Sequence, residues 1–243
     1  MKLLAGLLCL LCAVSAYAAE IRVAAAADLL FAVREINADF ERKSGHKVLL
    51  TLGSSGNFYA QIANGAPFEV FLSADVNYPR QLEERGFAVR GSTFVYGAGR
   101  IALWSSKVDV ARGMQCLLDG SVGKIAIANP VHAPYGRAAV AALQYAKLYD
   151  RVKGRLVMGE NISQAAQFVQ SGAAEVGIIA LSLALSEPMM KSGRHWVIPA
   201  DTYPRMEQGA VLLKDAGPAA RQYFESLRGE PAKKILQRYG FAS

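Results

Sequence analysis

The sequence predicts an α/β protein of largely parallel, mixed sheets with flanking helices. Short apolar segments of strand length alternate with segments of helical periodicity from residue 21 to the C-terminus. Several helical segments end at a glycine, as at Gly45, Gly86 and Gly172. With 52% apolar residues the chain can also bury a substantial core. Because ligands in such folds bind at the carboxyl ends of the strands, we expect function in the strand-to-helix turns.

The predicted elements follow one another without an internal repeat or a long linker. The helix predicted at 28–43 shows the pattern well, since Leu29, Val33, Ile36 and Phe40 recur on one face. The predicted strands are 21–26, 47–52, 70–73, 101–105, 124–128, 156–158, 176–181, 196–199 and 210–213. The predicted helices are 28–43, 59–64, 78–85, 136–148, 163–170 and two within 218–239.

The first 18 residues are predicted to be a cleaved signal peptide. Lys2 supplies the positive charge, 3–14 is a short apolar segment, and 16–18 (AYA) is a typical cleavage site. The sequence therefore predicts export. Cys116 is the one cysteine after this segment, so no internal disulfide is expected, and the residue is predicted to be a small buried apolar side chain.

The chain is basic, with a formal net charge of +7. The basic residues are scattered, and no basic stripe with interleaved aromatic residues is present. This pattern argues against a nucleic-acid partner. A mild positive field would instead help to attract an anionic ligand.

Four strand-to-helix turns share one chemistry. Each follows an apolar strand and opens a helix with small, hydroxyl or amide residues. A helix start leaves several backbone N–H groups unpaired, and the helix dipole adds partial positive charge there. If the turns converge on one cleft, they could hold a small dianion without any cation. The turns are 25–29 (AAADL), 53–57 (GSSGN), 129–137 (NPVHAPYGR) and 159–163 (GENIS).

Catalytic and metal-binding patterns are weak by comparison. The three histidines have no metal-ligand spacing, and HExxH, CxxC and GxSxG are all absent after the predicted signal peptide. Asp28 and Glu160 could form a carboxylate pair, although an Asp at a helix start is usually a cap. Arg137 lies in the first turn of its predicted helix, where cations are unfavourable, which indicates a ligand or an acid nearby or a solvent-facing side chain.

Several of these segments together resemble the periplasmic molybdate-binding protein family, ModA, of ABC transporters. The resemblance covers essentially the whole chain after the signal peptide. It is carried by 21–29 (IRVAAAADL), 53–67 (GSSGNFYAQIANGAP), 71–75 (FLSAD), 128–139 (ANPVHAPYGRAA), 159–165 (GENISQA), 176–182 (VGIIALS) and 235–241 (ILQRYGF).

This resemblance implies a type II periplasmic binding protein, with two lobes joined by two crossover strands. Lobe I would be discontinuous and consist of 19–99 and 199–243, and lobe II would be 100–198. The crossings would fall near Gly99 and Arg100 and near Pro199.

The resemblance also implies the residues of an oxyanion site. The family's ligand contacts fall on Asp28, Ser55, Tyr135 and Ile162, with Ser54, Asn57, Arg137 and Asn161 as possible supporting residues. No residue would bind a metal directly, and no cofactor is implied. Two positions depart from the family, because Asp28 replaces a hydroxyl donor and Ala180 replaces a tyrosine.

The predicted function is therefore a monomeric periplasmic solute-binding protein, not an enzyme, that passes molybdate or tungstate to a membrane permease. The alternatives are a different oxyanion in the same site, or a periplasmic dehydratase on the same fold with Asp28 or Glu160 as acid or base. Asp28 itself has two possible arrangements. Its carboxylate could cap its own helix through the N–H of Leu30 or Phe31, which we favour, or face the ligand while protonated or paired with Arg137.

Overall fold

The computed structural model describes residues 18–242, so the predicted signal peptide lies outside the described residues except for residue 18. The described chain contains ten β-strands. They are β1 (Glu20–Ala26), β2 (Lys47–Gly53), β3 (Val70–Ser73), β4 (Phe94–Gly99), β5 (Ile101–Ser105), β6 (Ile125–Ala128), β7 (Leu156–Gly159), β8 (Val176–Ala180), β9 (Arg194–Val197) and β10 (Met206–Leu212).

Ten α-helices accompany the strands in the same part of the chain. They are α1 (Leu30–Ser44), α2 (Ser55–Ala63), α3 (Asn77–Glu84), α4 (Pro134–Tyr145), α5 (Tyr149–Val152), α6 (Ile162–Gln170), α7 (Leu181–Ala184), α8 (Glu187–Ser192), α9 (Pro218–Ser226) and α10 (Glu230–Arg238). Short 3₁₀ segments lie at Ala27–Leu29, Val110–Leu118, Lys153–Arg155 and Ala200–Thr202. No helix within residues 18–242 is long and apolar enough to cross a membrane.

The strands form two mixed sheets of five strands each. The first has the order β2-β1-β3-β10-β4 and the second the order β7-β6-β8-β5-β9. In the first sheet β1 is parallel to β2 and β3, whereas β10 is antiparallel to β3 and β4. The second sheet repeats this plan, with β6 parallel to β7 and β8, and β5 antiparallel to β8 and β9.

The chain passes from the first sheet to the second between β4 and β5, and returns between β9 and β10. Strand alternation assigns each residue of the first sheet to one of two cores. Val23 packs in a core with residues of α1, α9 and α10, whereas its neighbour Ala24 packs with Phe58 of α2 on the opposite face.

The second sheet has one large core, and this core includes Ala26, Ala27 and Ala74 from the ends of β1 and β3. The carboxyl ends of strands from both sheets therefore meet inside a single packed region. Each sheet thus delivers its strand-to-helix turns to the same place.

The predicted fold class is confirmed, and most predicted elements agree with the structure to within a few residues. The predictions missed β4, whose glycines Gly97 and Gly99 are unusual within a strand. The predicted helix at 136–148 was also too long, because α4 ends at Tyr145 and a separate helix, α5, follows. Lys147 between them has a positive φ of 56°, which is incompatible with a continuous helix. Cys116 is buried, as predicted.

Candidate functional site

The four turns singled out in the sequence lie together where the two sheets meet. The Tyr135 hydroxyl of the third turn donates to Asp28 of the first over 2.9 Å. Gly56 N–H of the second turn donates to the His132 carbonyl of the third over 3.0 Å. Asn129 N–H of the third donates to the Gly159 carbonyl of the fourth over 2.8 Å. The four predicted contact residues, Asp28, Ser55, Tyr135 and Ile162, are all buried.

The second turn positions Ser55 as the first residue of α2. Its hydroxyl oxygen accepts a hydrogen bond from Ala74 N–H over 2.9 Å. No acceptor for the hydroxyl hydrogen is found among residues 18–242, so the hydroxyl remains able to donate. The backbone N–H of Ser55 is one of the orphan donors of the helix start. Ser55 can therefore offer two donors to an anion.

The fourth turn is capped in a way that singles out Ile162. The Asn161 side-chain oxygen accepts from Ser163 N–H over 3.0 Å and from Gln164 N–H over 3.1 Å. The Asn161 side chain thus satisfies the second and third N–H groups of α6. The first N–H group of the helix, that of Ile162, is not bonded by this cap. Asn161 thus acts as a helix cap that supports the neighbouring donor.

The third turn opens α4 with Pro134, which has no N–H, so Tyr135 carries the first backbone donor of this helix. Gly136 N–H and Arg137 N–H both bond to the Ala133 carbonyl, over 3.0 and 3.2 Å. The backbone N–H of Tyr135 is therefore the donor in the first helical turn of α4 that the loop itself does not use.

The first turn is a 3₁₀ segment, Ala27–Leu29, and α1 begins only at Leu30. The favoured prediction for Asp28, a cap on Leu30 or Phe31, is therefore wrong. Leu29 occupies the cap position of α1 and no side chain caps that helix. The Asp28 carboxylate instead accepts at Oδ2 from the Tyr135 hydroxyl and from Gln208 Nε2, over 2.9 and 2.8 Å. Ser182 of α7 donates to the Asp28 carbonyl over 2.7 Å.

Gln208 was not identified from the sequence, although a glutamine within the apolar strand β10 was an available signal. It is fully buried, its Nε2 also donates to the Tyr135 hydroxyl oxygen over 2.9 Å, and its Oε1 accepts from the Tyr96 hydroxyl over 2.8 Å. We call Asp28, Tyr135, Gln208 and Tyr96 the inner network. Gly99 makes it possible, because a Cβ there would lie 2.4 Å from both Gln208 Nε2 and the Tyr135 hydroxyl oxygen.

Burial dominates the electrostatics of the inner network. It raises the pKa of Asp28 from 3.8 to about 6, against the opposing effect of Gln208, Tyr135 and the nearby backbone N–H groups of Asp28 and Leu29. Burial and the nearby Asp28 charge raise the pKa of Tyr96 and of Tyr135 well above 10.0. Both phenols therefore stay neutral at any ordinary pH and act as hydrogen-bond donors.

A second set of contacts, at the edge of the cleft, also links the two sheets; we call it the rim. Arg137 donates to Asp75 over 2.7 Å, and its guanidinium lies 5.9 Å from the centre of the Tyr78 ring. The predicted pairing of Arg137 with Asp28 is therefore wrong, and the acid beside it is Asp75. Because its charge is matched there, Arg137 does not belong to the buried cluster of donors.

His132 forms the other half of the rim. Its Nδ1 lies 3.0 Å from the Ser54 hydroxyl, and its Nε2 lies 3.5 Å from Glu160. The suggested pair of Asp28 with Glu160 is wrong, because Glu160 is largely exposed and lies beside His132. A Cβ on Gly56 would lie 2.7 Å from the His132 carbonyl oxygen, so only glycine allows this close approach of α2.

The remaining predicted supporting residue, Asn57, is half-buried in the first turn of α2. Ala180 ends β8 and is completely buried. Within residues 18–242 no group of three or more His, Cys, Asp or Glu side chains is placed to hold a metal ion. The site is thus a buried set of backbone and hydroxyl donors with one carboxyl group among them.

Comparison with known proteins agrees with this geometry. The chain is 42% identical to the molybdate-binding protein ModA of Azotobacter vinelandii over 98% of this chain and 94% of that protein. It is 40% identical to ModA of Rhodobacter capsulatus over 95% of this chain and 91% of that protein. The solved structure of the Azotobacter vinelandii periplasmic molybdate-binding protein superposes with a TM-score of 0.86 and 35% identity, covering 92% of this chain and 99% of that one.

The family model described as bacterial extracellular solute-binding protein matches residues 21–242, almost the whole described chain. Together with the two close relatives, this match confirms the resemblance found in the sequence. The chain belongs to the ModA family of bacterial extracellular solute-binding proteins.

Proposed function

We propose that this protein is a periplasmic solute-binding protein that captures molybdate or tungstate and delivers it to an ABC permease. The observation that carries the proposal is the meeting of four helix-start turns from two sheets in one buried cluster, with Arg137 paired elsewhere. Donors without cations suit a dianion held by hydrogen bonds and aligned peptide dipoles. The names of the close relatives support molybdate as the ligand.

The proposed binding residues are Asp28, Ser55, Tyr135 and Ile162, supported by Ser54, Asn57 and Asn161. Backbone N–H groups of all four and the Ser55 hydroxyl would contact the ligand oxygens. The proposed lobes are 19–99 with 199–243 and 100–198, which fits the strand membership of the two sheets. The protein would act as a monomer, without a cofactor and without turnover of its ligand.

Titration calorimetry against molybdate, tungstate, sulfate, phosphate and thiosulfate tests this function. We expect comparable affinities for molybdate and tungstate, because their size and charge are nearly the same. Sulfate has shorter bonds to oxygen and would leave buried donors unpaired, so we expect it to bind at least about a hundredfold more weakly. Sulfate that binds as tightly as molybdate would overturn the assigned ligand.

One observation favours a second candidate, an oxyanion that carries a proton, such as hydrogen phosphate. An ionised Asp28 could accept that proton at Oδ1, which has no hydrogen-bond partner among the described residues. The same titration decides between the two, because this candidate requires phosphate to bind more tightly than molybdate.

A further inference from the structure

The hydrogen bonds of the inner network concentrate side-chain donors on one oxygen of Asp28. The Tyr96 hydroxyl lies within hydrogen-bond distance of two acceptors, Gln208 Oε1 at 2.8 Å and the Ser73 carbonyl oxygen at 3.0 Å. Gln208 Nε2 donates to Asp28 Oδ2 over 2.8 Å and to the Tyr135 hydroxyl oxygen over 2.9 Å. The Tyr135 hydroxyl therefore sends its own hydrogen to Asp28 Oδ2. Both side-chain donors converge on Oδ2 alone.

The other carboxyl oxygen of Asp28 has the opposite surroundings. Oδ1 is buried and has no hydrogen-bond partner among residues 18–242. A charged oxygen in that position would be strongly unfavourable, whereas a protonated oxygen needs only one acceptor. Because Oδ2 already receives two donors, a proton on the carboxyl group belongs on Oδ1.

We propose that Asp28 is a neutral carboxylic acid in the ligand-bound protein and donates a hydrogen bond from Oδ1 to one oxygen of the bound oxyanion. This inference rests on the function proposed above. Asp28 is one of the four proposed contact residues, and Oδ1 is its side-chain oxygen that has no partner among residues 18–242. No bond to carbon or metal changes, and one proton moves from solvent to Asp28 when the anion binds.

The groups that face Asp28 agree with this assignment. Tyr135 of α4 and Tyr96 of β4 are the titratable groups of the inner network, and both remain neutral. The rim groups His132, Glu160, Asp75 and Arg137 are engaged with one another or with Ser54 and Tyr78. Burial outweighs the hydrogen bonds that oppose it and already raises the pKa of Asp28 to about 6, and a neighbouring dianion would raise that pKa further.

The consequence is an affinity that depends on pH with a defined sign. Below about pH 6 Asp28 is already neutral and anion binding takes up little or no proton. Above that pH each anion must bring one proton with it, so affinity falls by up to about tenfold per pH unit. Molybdate itself stays a dianion over this range.

Calorimetry of the unaltered protein with molybdate, in buffers of different ionisation enthalpy, counts this proton directly. We expect uptake close to one proton per anion at about pH 7.5 and a much smaller value at about pH 5. Binding without proton uptake at the higher pH would overturn the inference and leave the proposed function standing. No molybdate binding at either pH would overturn both.

The Asp28→Asn variant tests whether the proton taken up on molybdate binding goes to Asp28. The amide is neutral at every pH, its Oδ1 can accept from Tyr135 and Gln208, and its Nδ2 can donate to the ligand. We expect the variant to lose the proton uptake and to bind molybdate about tenfold or more tightly than the unaltered protein at about pH 8. The control is His132→Gln, which removes the imidazole of the rim. Uptake that persists in Asp28→Asn and disappears in His132→Gln would overturn the inference.

Discussion

The inner network and the rim both join the two sheets through polar side chains, yet they differ in their surroundings. The inner network has a carboxyl group, two phenols and an amide, of which Asp28, Tyr135 and Gln208 are buried and Tyr96 is half-buried. The rim has carboxylates, a guanidinium and an imidazole, and its Arg137 and Asp75 side chains keep 41% and 24% of their exposure. Burial makes an unmet hydrogen bond costly, whereas water replaces a lost contact at the rim. We therefore expect the inner network to control stability and ligand choice, and the rim to contribute little.

The largest effect should follow from removing the amide that organises the inner network. Gln208→Ala leaves Asp28 Oδ2 with one donor fewer and removes the side-chain acceptor of the Tyr96 hydroxyl. We expect a loss of about 3 kcal/mol in the free energy of unfolding, from unmet hydrogen bonds and a small cavity. Urea denaturation measures it. The matched control is Gln144→Ala on the exposed side of α4, which should change stability by less than about 0.5 kcal/mol.

This loss should depend on pH. The folded pKa of Asp28, about 6, lies above its unfolded value of 3.8, so stability is lost as pH rises through about 6 and the carboxyl group ionises. Gln208 stabilises the ionised form, so its removal should cost more at about pH 8 than at about pH 5. Equal losses at both pH values would show that Asp28 is not the group through which Gln208 acts.

The two adjacent serines of the second turn give a sharper comparison, because Ser55 faces the buried cluster and Ser54 faces His132 at the rim. Ser55→Ala should weaken molybdate binding by about 1.5–3 kcal/mol, the range for a hydrogen bond to a charged group. Ser54→Ala should weaken it by less than about 1 kcal/mol. Calorimetry of both variants measures the difference. In Ser55→Ala the Ala74 N–H loses its acceptor in the free and in the ligand-bound protein alike, so that loss cancels in the free energy of binding. Equal effects would contradict the distinction between the two regions.

The same distinction explains what the sequence could predict. Alternating apolar periodicity was enough for the α/β class, whereas the two-lobed arrangement came from the family resemblance. The GSSGN and GENIS turns were recognisable because helix starts have their own residue preferences. The partners of Asp28 could not be predicted, because they come from residues 107 and 180 positions away along the chain. The cap prediction failed for a local reason, since a 3₁₀ turn delays the start of α1 by one short segment. Boundaries of this kind are not encoded in periodicity.

The smallest effect should come from the ion pair of Arg137 with Asp75. It is short, 2.7 Å, but partly exposed, so each charge retains much of its hydration. A double-mutant cycle with Arg137→Gln and Asp75→Asn should give a coupling of about 0.2–1 kcal/mol in the free energy of molybdate binding. The coupling should shrink as salt rises from about 0.02 M to about 0.5 M, because the pair is open to screening. The control cycle uses Arg112 and Asp119, an exposed pair at 3.1 Å whose two residues both lie between β5 and β6, and should show no coupling to binding. A coupling above about 2 kcal/mol that is insensitive to salt would mean that Arg137 acts on the ligand itself, and would place the rim and the inner network in one functional unit.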